Sequence, residues 1–294
     1  MKLLEHLKNW VLLYDGFSGG DYMFTRYRKN ETPMLCATLC YYDNPHTKAL
    51  GEQVQNILEA YGFFPPHMIF ADTLTSCRFR KFSPDMHDLL SRAYMEEGVG
   101  GVKLVSGDSR KVQDYWQVEW FFRHYNKKDK LEVKKPKILP WNVLSLYTTY
   151  GRIKDEEQLT QYLGCVKELI RLIKPFYADI DDVSNSVRLL KAAREETFNP
   201  EYIQQIYWGN YWDLDHYQEL DKEKILNVSK CCVDEFGNGV FLTLTDNVFD
   251  ACTMRSELRR KWVKRKIGLK LGLKQTGKYK GKCWRPRRFP FGHY

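Results

Sequence analysis

Apolar positions along the chain recur with a period of two in some stretches and of about 3.6 in others, and the two patterns take turns. Residues 33–42, with 21–29 before them, are rich in aromatic and other apolar side chains and read as neighbouring strands. Asn44 and Pro45 then mark a helix start. Leu50, Val54, Ile57, Leu58 and Tyr61 form the apolar face of that helix, and Gly62 followed by Pro65 and Pro66 ends it. A short strand at 77–82 precedes a second helix signalled by Ser83 and Pro84, with Met86, Leu89, Leu90, Ala93 and Tyr94 on one side. Past a glycine turn at 98–101, strands are expected at 102–105 and 116–123. In the second of these, Trp116, Val118, Trp120 and Phe122 alternate with Gln117, Glu119, Phe121 and Arg123. The six lysines of 126–137 read as a solvated loop or hairpin tip.

A second cycle of similar length follows. Residues 142–150 read as a strand, and Asp155 caps a long helix with Gln158 in the capping-box position. Leu159, Tyr162, Leu163, Val166, Leu169, Ile170 and Ile173 make the buried stripe, and Pro175 stops the helix. A further helix is expected over 183–196, an extended aromatic stretch over 203–212 and a short helix over 215–222. Strands at 225–233 and 240–245 joined through Gly237, Asn238 and Gly239 make a hairpin. The last helix, 252–267, would turn Met254, Leu258, Trp262 and Ile267 inward and its Arg and Lys outward.

Paired strands with helices between them predict an α+β fold with a mostly antiparallel sheet. The two strand–helix cycles suggest a pseudo-repeat, subdomains 1–138 and 139–267 of one domain, with 268–294 as a basic tail. A chain of 294 residues with 43% apolar and 15% aromatic content has ample material for a core. The eight cysteines are irregularly spaced and include no C-x-x-C, so reduced thiols in a cytoplasmic protein are expected and structural zinc is not. Charged residues interrupt the first ten positions, which excludes a signal-peptide reading of them. No window approaches the ~18 apolar residues that a spanning helix needs, so no membrane partner is expected.

Charge divides the chain. Residues 251–294 carry fifteen Lys and Arg against Glu257, a net +14, so the whole chain's +9 leaves 1–250 at −5. The densest acidic motif is Asp179, Asp181 and Asp182. These carboxylates could cap a helix starting near Val183, face a partner, or ligate a hard cation. The aromatic run Tyr207, Trp208, Tyr211 and Trp212 precedes Asp213 and Asp215. If extended, one row of it fills a core and the other lies near the surface beside carboxylates, a pattern suited to protein binding. In the basic end, Arg259, Arg260, Lys264, Arg265, Arg287 and Arg288 interleave with Trp262, Trp284 and Phe289. Such a segment could neutralise phosphates and stack bases, meet anionic lipid or the acidic body, or act as a solubilising extension. No His pair has metal spacing, and no nucleophile elbow, Walker loop or dinucleotide fingerprint is present. The sequence gives no catalytic residue to name, no metal site and no cofactor.

The run from Gly237 to Asp250, a glycine turn, an alternating strand ending in Thr, then Phe249-Asp250 leading into a basic helix, resembles the end of bacterial polymorphic-toxin immunity proteins of the immunity protein 52 type. The Tyr207–Trp212 segment sits where those proteins carry a similar Trp/Gly stretch. The strand ending at Tyr150-Gly151 before a long helix resembles related immunity proteins of type VI secretion effectors. The likeness spans roughly residues 140–267. It implies a cytoplasmic, non-enzymatic α+β protein that binds and blocks a cognate toxin, often a nuclease. On that expectation Asp179, Asp181, Asp182, Trp208, Tyr211, Trp212, Asp213 and Asp215 would form an acidic and aromatic surface meeting a basic toxin. The alternative is an accessory protein that binds nucleic acid through its basic end.

Overall fold

The computed structural model describes residues 34–42, 48–73, 76–81, 99–107, 114–121, 141–183, 203, 205–218, 220–251 and 253–268. The strand expected at 21–29, the helix over 83–94, the lysine-rich loop, most of the helix over 183–196 and the basic tail lie outside them.

Among the described residues ten strands form one sheet: β1 (Met34–Tyr41), β2 (Met68–Thr73), β3 (Ser76–Lys81), β4 (Val99–Val105), β5 (Trp116–Phe121), β6 (Asn142–Thr149), β7 (Tyr177–Asp182), β8 (Gly209–Asp213), β9 (Cys232–Phe236) and β10 (Gly239–Thr243). Their order across the sheet is β3-β2-β4-β5-β6-β1-β7-β8-β10-β9. Every neighbouring pair is antiparallel, so the fold is α+β. Strands from both sides of residue 139 enter the sheet, with β1 seated between β6 and β7.

Two long helices cross it, α1 (Lys48–Ala60) and α2 (Glu156–Ile173). Helix α1 carries the chain from β1 to β2, and α2 from β6 to β7; each links strands that run the same way, so each is a crossover. The two crossovers travel in opposite directions along the sheet from strands of opposite sense. The right-handed rule therefore puts both helices on one face, where they touch. That face is the core: Leu35, Ala37 and Leu39 of β1, Val118 and Trp120 of β5, Leu144 and Leu146 of β6, and Ala178 and Ile180 of β7 are all buried beneath Val54, Leu58, Tyr162, Val166 and Leu169 of the helices.

Local signals hold α2 in place. Asp155 accepts from the Gln158 N–H at 2.9 Å, and Gln158 Oε1 accepts from the Lys154 N–H at 2.7 Å. Lys174 ends it in the left-handed region at φ 48°, donating its N–H to Ile170. The buried stripe is as expected except that Cys165 joins it and Leu163 is half-exposed. Two polar contacts brace the core: Trp120 Nε1 donates to the Tyr41 hydroxyl at 2.6 Å, and the Tyr162 hydroxyl to the Leu146 carbonyl at 2.8 Å.

Several elements differ from the sequence reading. Strand β2 has no counterpart among the expected elements. Asp179–Asp182 lie in a strand, β7, that ends where the helical turn at Val183 begins, as the expected helix start near Val183 requires. Residues 214–218 form turns, and the short helix, α3, lies later, at Lys222–Leu226, with Asp221 as its N-cap. That helix displaces the start of the strand expected at 225–233, which begins only at Cys232. The last helix, α4 (Met254–Lys266), is present but rotated. It buries Ser256, Arg260 and Val263, with Ile267 just beyond its end, and exposes Met254 and Leu258.

Candidate functional site

The face of the sheet opposite α1 and α2 carries a polar band beside an apolar row of Phe121, Val143, Cys40, Tyr177 and Trp212. Residues directly opposite each other on antiparallel strands share a face. The register places Lys103, Glu119, Ser145, Thr38, Asp179 and Asn210 in one row across β4, β5, β6, β1, β7 and β8. A second row beside it contains Gln117, Tyr147, Cys36 and Asp181. Lys103 Nζ lies 3.0 Å from Glu119 Oε1, Gln117 Nε2 donates to the same oxygen at 2.7 Å, and the Tyr115 hydroxyl donates to Gln117 Oε1 at 2.7 Å. Burial pushes the Cys36 thiol and the Tyr147 phenol well above their ordinary values. Cys36 is thus held as a thiol, not the thiolate that reacts. Burial also raises the Asp179 carboxyl, and the neighbouring Asp181 adds to the effect against a hydrogen bond from Tyr177.

Asp181 is the anchor of this face. Its Oδ1 accepts from the Asp182 N–H at 2.8 Å and its Oδ2 from the Trp208 N–H at 3.1 Å. Arg260 of α4 brings Nη2 to 3.7 Å from Oδ2, with both side chains nearly closed to solvent. The same guanidinium donates Nε–H to the Ile206 carbonyl at 2.5 Å and places Nη1 3.0 Å from Glu257. Arg259 donates to the Leu244 carbonyl at 2.6 Å, and Lys264 to Gln205 Oε1. Trp208 is fixed at its other end by Nε1 donating to Thr245 Oγ1 at 2.8 Å. These bonds clamp the 205–208 segment between the end of β7 and α4.

The surface expected from the sequence is therefore mostly interior. Asp179, Asp181, Asp182, Trp208, Tyr211 and Trp212 are all buried. β7 and β8 are central strands whose one face lies under the helices, while Arg260 of α4 and the 205–208 segment close over Asp181 on the other. Asp179 and Asp181 point to one face and Asp182 to the other. Among the described residues no group of three His, Cys, Asp or Glu side chains is placed to hold a metal ion. Asp213 is half-buried and accepts from the N–H groups of Asp215 and His216 at 2.8 and 3.0 Å, which shapes the turn after β8. Burial raises its carboxyl above the ordinary range. Asp215 alone of the eight is exposed. Of the basic candidates, Arg259, Arg260 and Lys264 are engaged in the bonds above, Arg265 is exposed, and Arg287 and Arg288 lie outside the described residues.

Two features escaped the sequence reading. One is a cleft of about 290 Å³ between the ends of α1 and α2, lined by Tyr61, Phe63, Asp114, Arg152, Gln161 and others. Arg152 is fixed there, donating to the Gly62 carbonyl at 2.7 Å with its guanidinium carbon 4.6 Å from the Phe63 ring centre. The other is a run of exposed apolar side chains near α4: Phe249 (45% exposed), Met254 (77%) and Leu258 (60%). No local sequence signal marks Arg260 as inward-pointing, since its partner Asp181 lies far away along the chain.

Among the described residues no helix is long and apolar enough to cross a membrane. No protein-family model matches the chain. No curated protein matches it either. Solved structures do match, among them the Pseudomonas aeruginosa T6SS protein PA0821, at 12% identity and a TM-score of 0.52 over 85% of this chain and 77% of that one. At that identity the likeness is one of fold.

Proposed function

We propose that this chain is an immunity-type protein associated with type VI secretion, which neutralises a secreted toxin by binding it and performs no catalysis of its own. The observation that carries the reading is the shared fold with a T6SS protein over 85% of the chain. It agrees with the independent resemblance of Gly237–Asp250 and its flanking elements to toxin-immunity proteins. Two buried charged groups, Asp181 and Arg260, hold the sheet and α4 together, burial raises the Asp179 carboxyl, and burial keeps Cys36 as a thiol. A binding role in the cytoplasm, where the toxin would act, asks only for a rigid scaffold and an exposed patch, and the antiparallel sheet supplies the first.

Co-expression with the protein encoded immediately upstream tests this. Restored growth together with a stable complex in pull-down is the expected result. Absence of a complex, with growth not restored, would overturn it.

A further inference from the structure

Helix α4 is inside out. Its buried side carries Ser256, Arg260 and Val263, while Met254 and Leu258, spaced i and i+4, stand in solvent. Lys261 and Arg265 continue the same outward face at i+7 and i+11, with Arg255 and Trp262 at its flank. Phe249, from the 3-10 turn Val248–Asp250 just before the helix, adds a further exposed ring, resting 5.0 Å from Tyr150. An ordinary surface helix would roll to bury its Met and Leu. This one is prevented by the bonds from Arg259 to Leu244, from Arg260 to Ile206 and Asp181, and from Lys264 to Gln205. Rolling α4 would strand a buried guanidinium and a buried carboxylate, a larger loss than two exposed aliphatic side chains. Its exposed apolar face is therefore built in, and a sequence that breaks a local packing rule at this cost does so for a use.

We infer that Phe249, Met254 and Leu258, framed by Arg255, Lys261 and Arg265, form the docking surface for a partner protein that presents carboxylates around an apolar hollow. Resting on the reading of the chain as a toxin-binding protein, this makes the recognised face of the toxin acidic. Charge complementarity fixes the sign: the one acid of the helix, Glu257, is drawn to Arg260 at 3.0 Å, which leaves the outward face cationic. Nucleic acid fits less well. Three of the helix's cations are committed to the fold, and the two most exposed apolar groups, Met254 and Leu258, are aliphatic and stack poorly on bases, with Phe249 the less exposed ring beside them.

The test uses the purified chain and the purified product of the upstream gene, titrated by calorimetry. Two variants are compared with the wild type: Met254→Ser with Leu258→Ser, and Arg255→Glu with Lys261→Glu. All four positions are exposed, so melting temperatures should match. The apolar variant should weaken binding by about 10-fold or more. The charge reversal should slow association and remove its salt dependence, and both should lose protection of growth. Equal binding by wild type and both variants would overturn this surface and leave the proposed function standing. No complex with the wild type would overturn both. A wild-type dimer in light scattering that the apolar variant dissolves would give the face to a second copy. Retention on RNA or on anionic vesicles, lost on charge reversal, would give it to a polyanion; either result overturns the inference.

Discussion

Arg260 on the last helix reaches Asp181 in the middle of the sheet, Nη2 to Oδ2 at 3.7 Å, with the arginine side chain 3% exposed and the aspartate fully enclosed. The two residues are 79 positions apart in sequence, so the contact closes a long loop of chain. Removing one charge takes away the buried opposite charge that faces the other, and breaking a buried pair typically costs about 3–5 kcal/mol. Arg260→Met and Asp181→Leu should each destabilise by that order in urea unfolding. The double variant should cost clearly less than the two added together. Strict additivity would show that the charges do not interact.

The pH dependence of stability should carry the mark of Asp179. Burial, reinforced by Asp181, raises its carboxyl well above the ordinary value of 3.8, so the folded chain keeps this proton where the unfolded chain has released it. The folded state then binds more protons, and stability falls as pH rises from the ordinary carboxyl range toward the raised value. Asp179→Asn keeps the shape and removes the titration. Its unfolding free energy should decline less with rising pH than that of the wild type. Parallel profiles would contradict the assignment.

His216 acts in the opposite sense. Its ring packs between Phe176 at 4.4 Å, Tyr217 at 4.9 Å and Tyr42 at 5.6 Å between centroids. Burial lowers its value from 6.5 to about 4. Between those limits the unfolded chain binds the proton and the folded chain does not, so stability falls as pH drops from about 6.5 toward about 4. His216→Phe should flatten that limb and leave the profile above pH 7 unchanged in slope. An identical acid limb in the variant would place the loss elsewhere.

The sequence makes β5 and α2 readable because each obeys one period and one cap rule. Trp116, Val118 and Trp120 alternate inward, and Asp155 with Gln158 starts the helix where the spacing says it should. Strand β7 is hidden by its own composition. Tyr177–Asp182 holds three aspartates, which strand propensity disfavours, and only its position between β1 and β8 makes it a strand. The same residues mislead about α4, since the inward turn of Arg260 answers a carboxylate far away in sequence. Exposure of Met254 and Leu258 follows from that distant pairing, which no local pattern records. Met68–Thr73 is missed for a simpler reason: its apolar run is four residues long and ends in Asp72 and Thr73.

Gly239 opens β10 directly opposite Asp213 of β8. A Cβ there would lie 2.2 Å from the Trp212 carbonyl oxygen and 2.9 Å from the Tyr211 ring, and the first of these is backbone that cannot swing aside. Any side chain must therefore push β10 away from β8, at the point where the Gly237–Asn238 turn feeds the strand. The carbonyl of Asn238 also accepts from the Leu214 N–H at 3.2 Å, so displacement spreads to the turn that Asp213 organises. Gly239→Ala should cost at least the upper end of the about 1–3 kcal/mol typical of overpacking. Gly237→Ala has open space around its Cβ, the nearest atom being the Tyr211 hydroxyl at 3.7 Å, and meets only the strain of φ +56°. It should cost about 1–2 kcal/mol. Urea midpoints of the two variants measured side by side decide the matter: the larger loss must fall on Gly239, and the reverse order would mean that β8 and β10 are not packed at this distance.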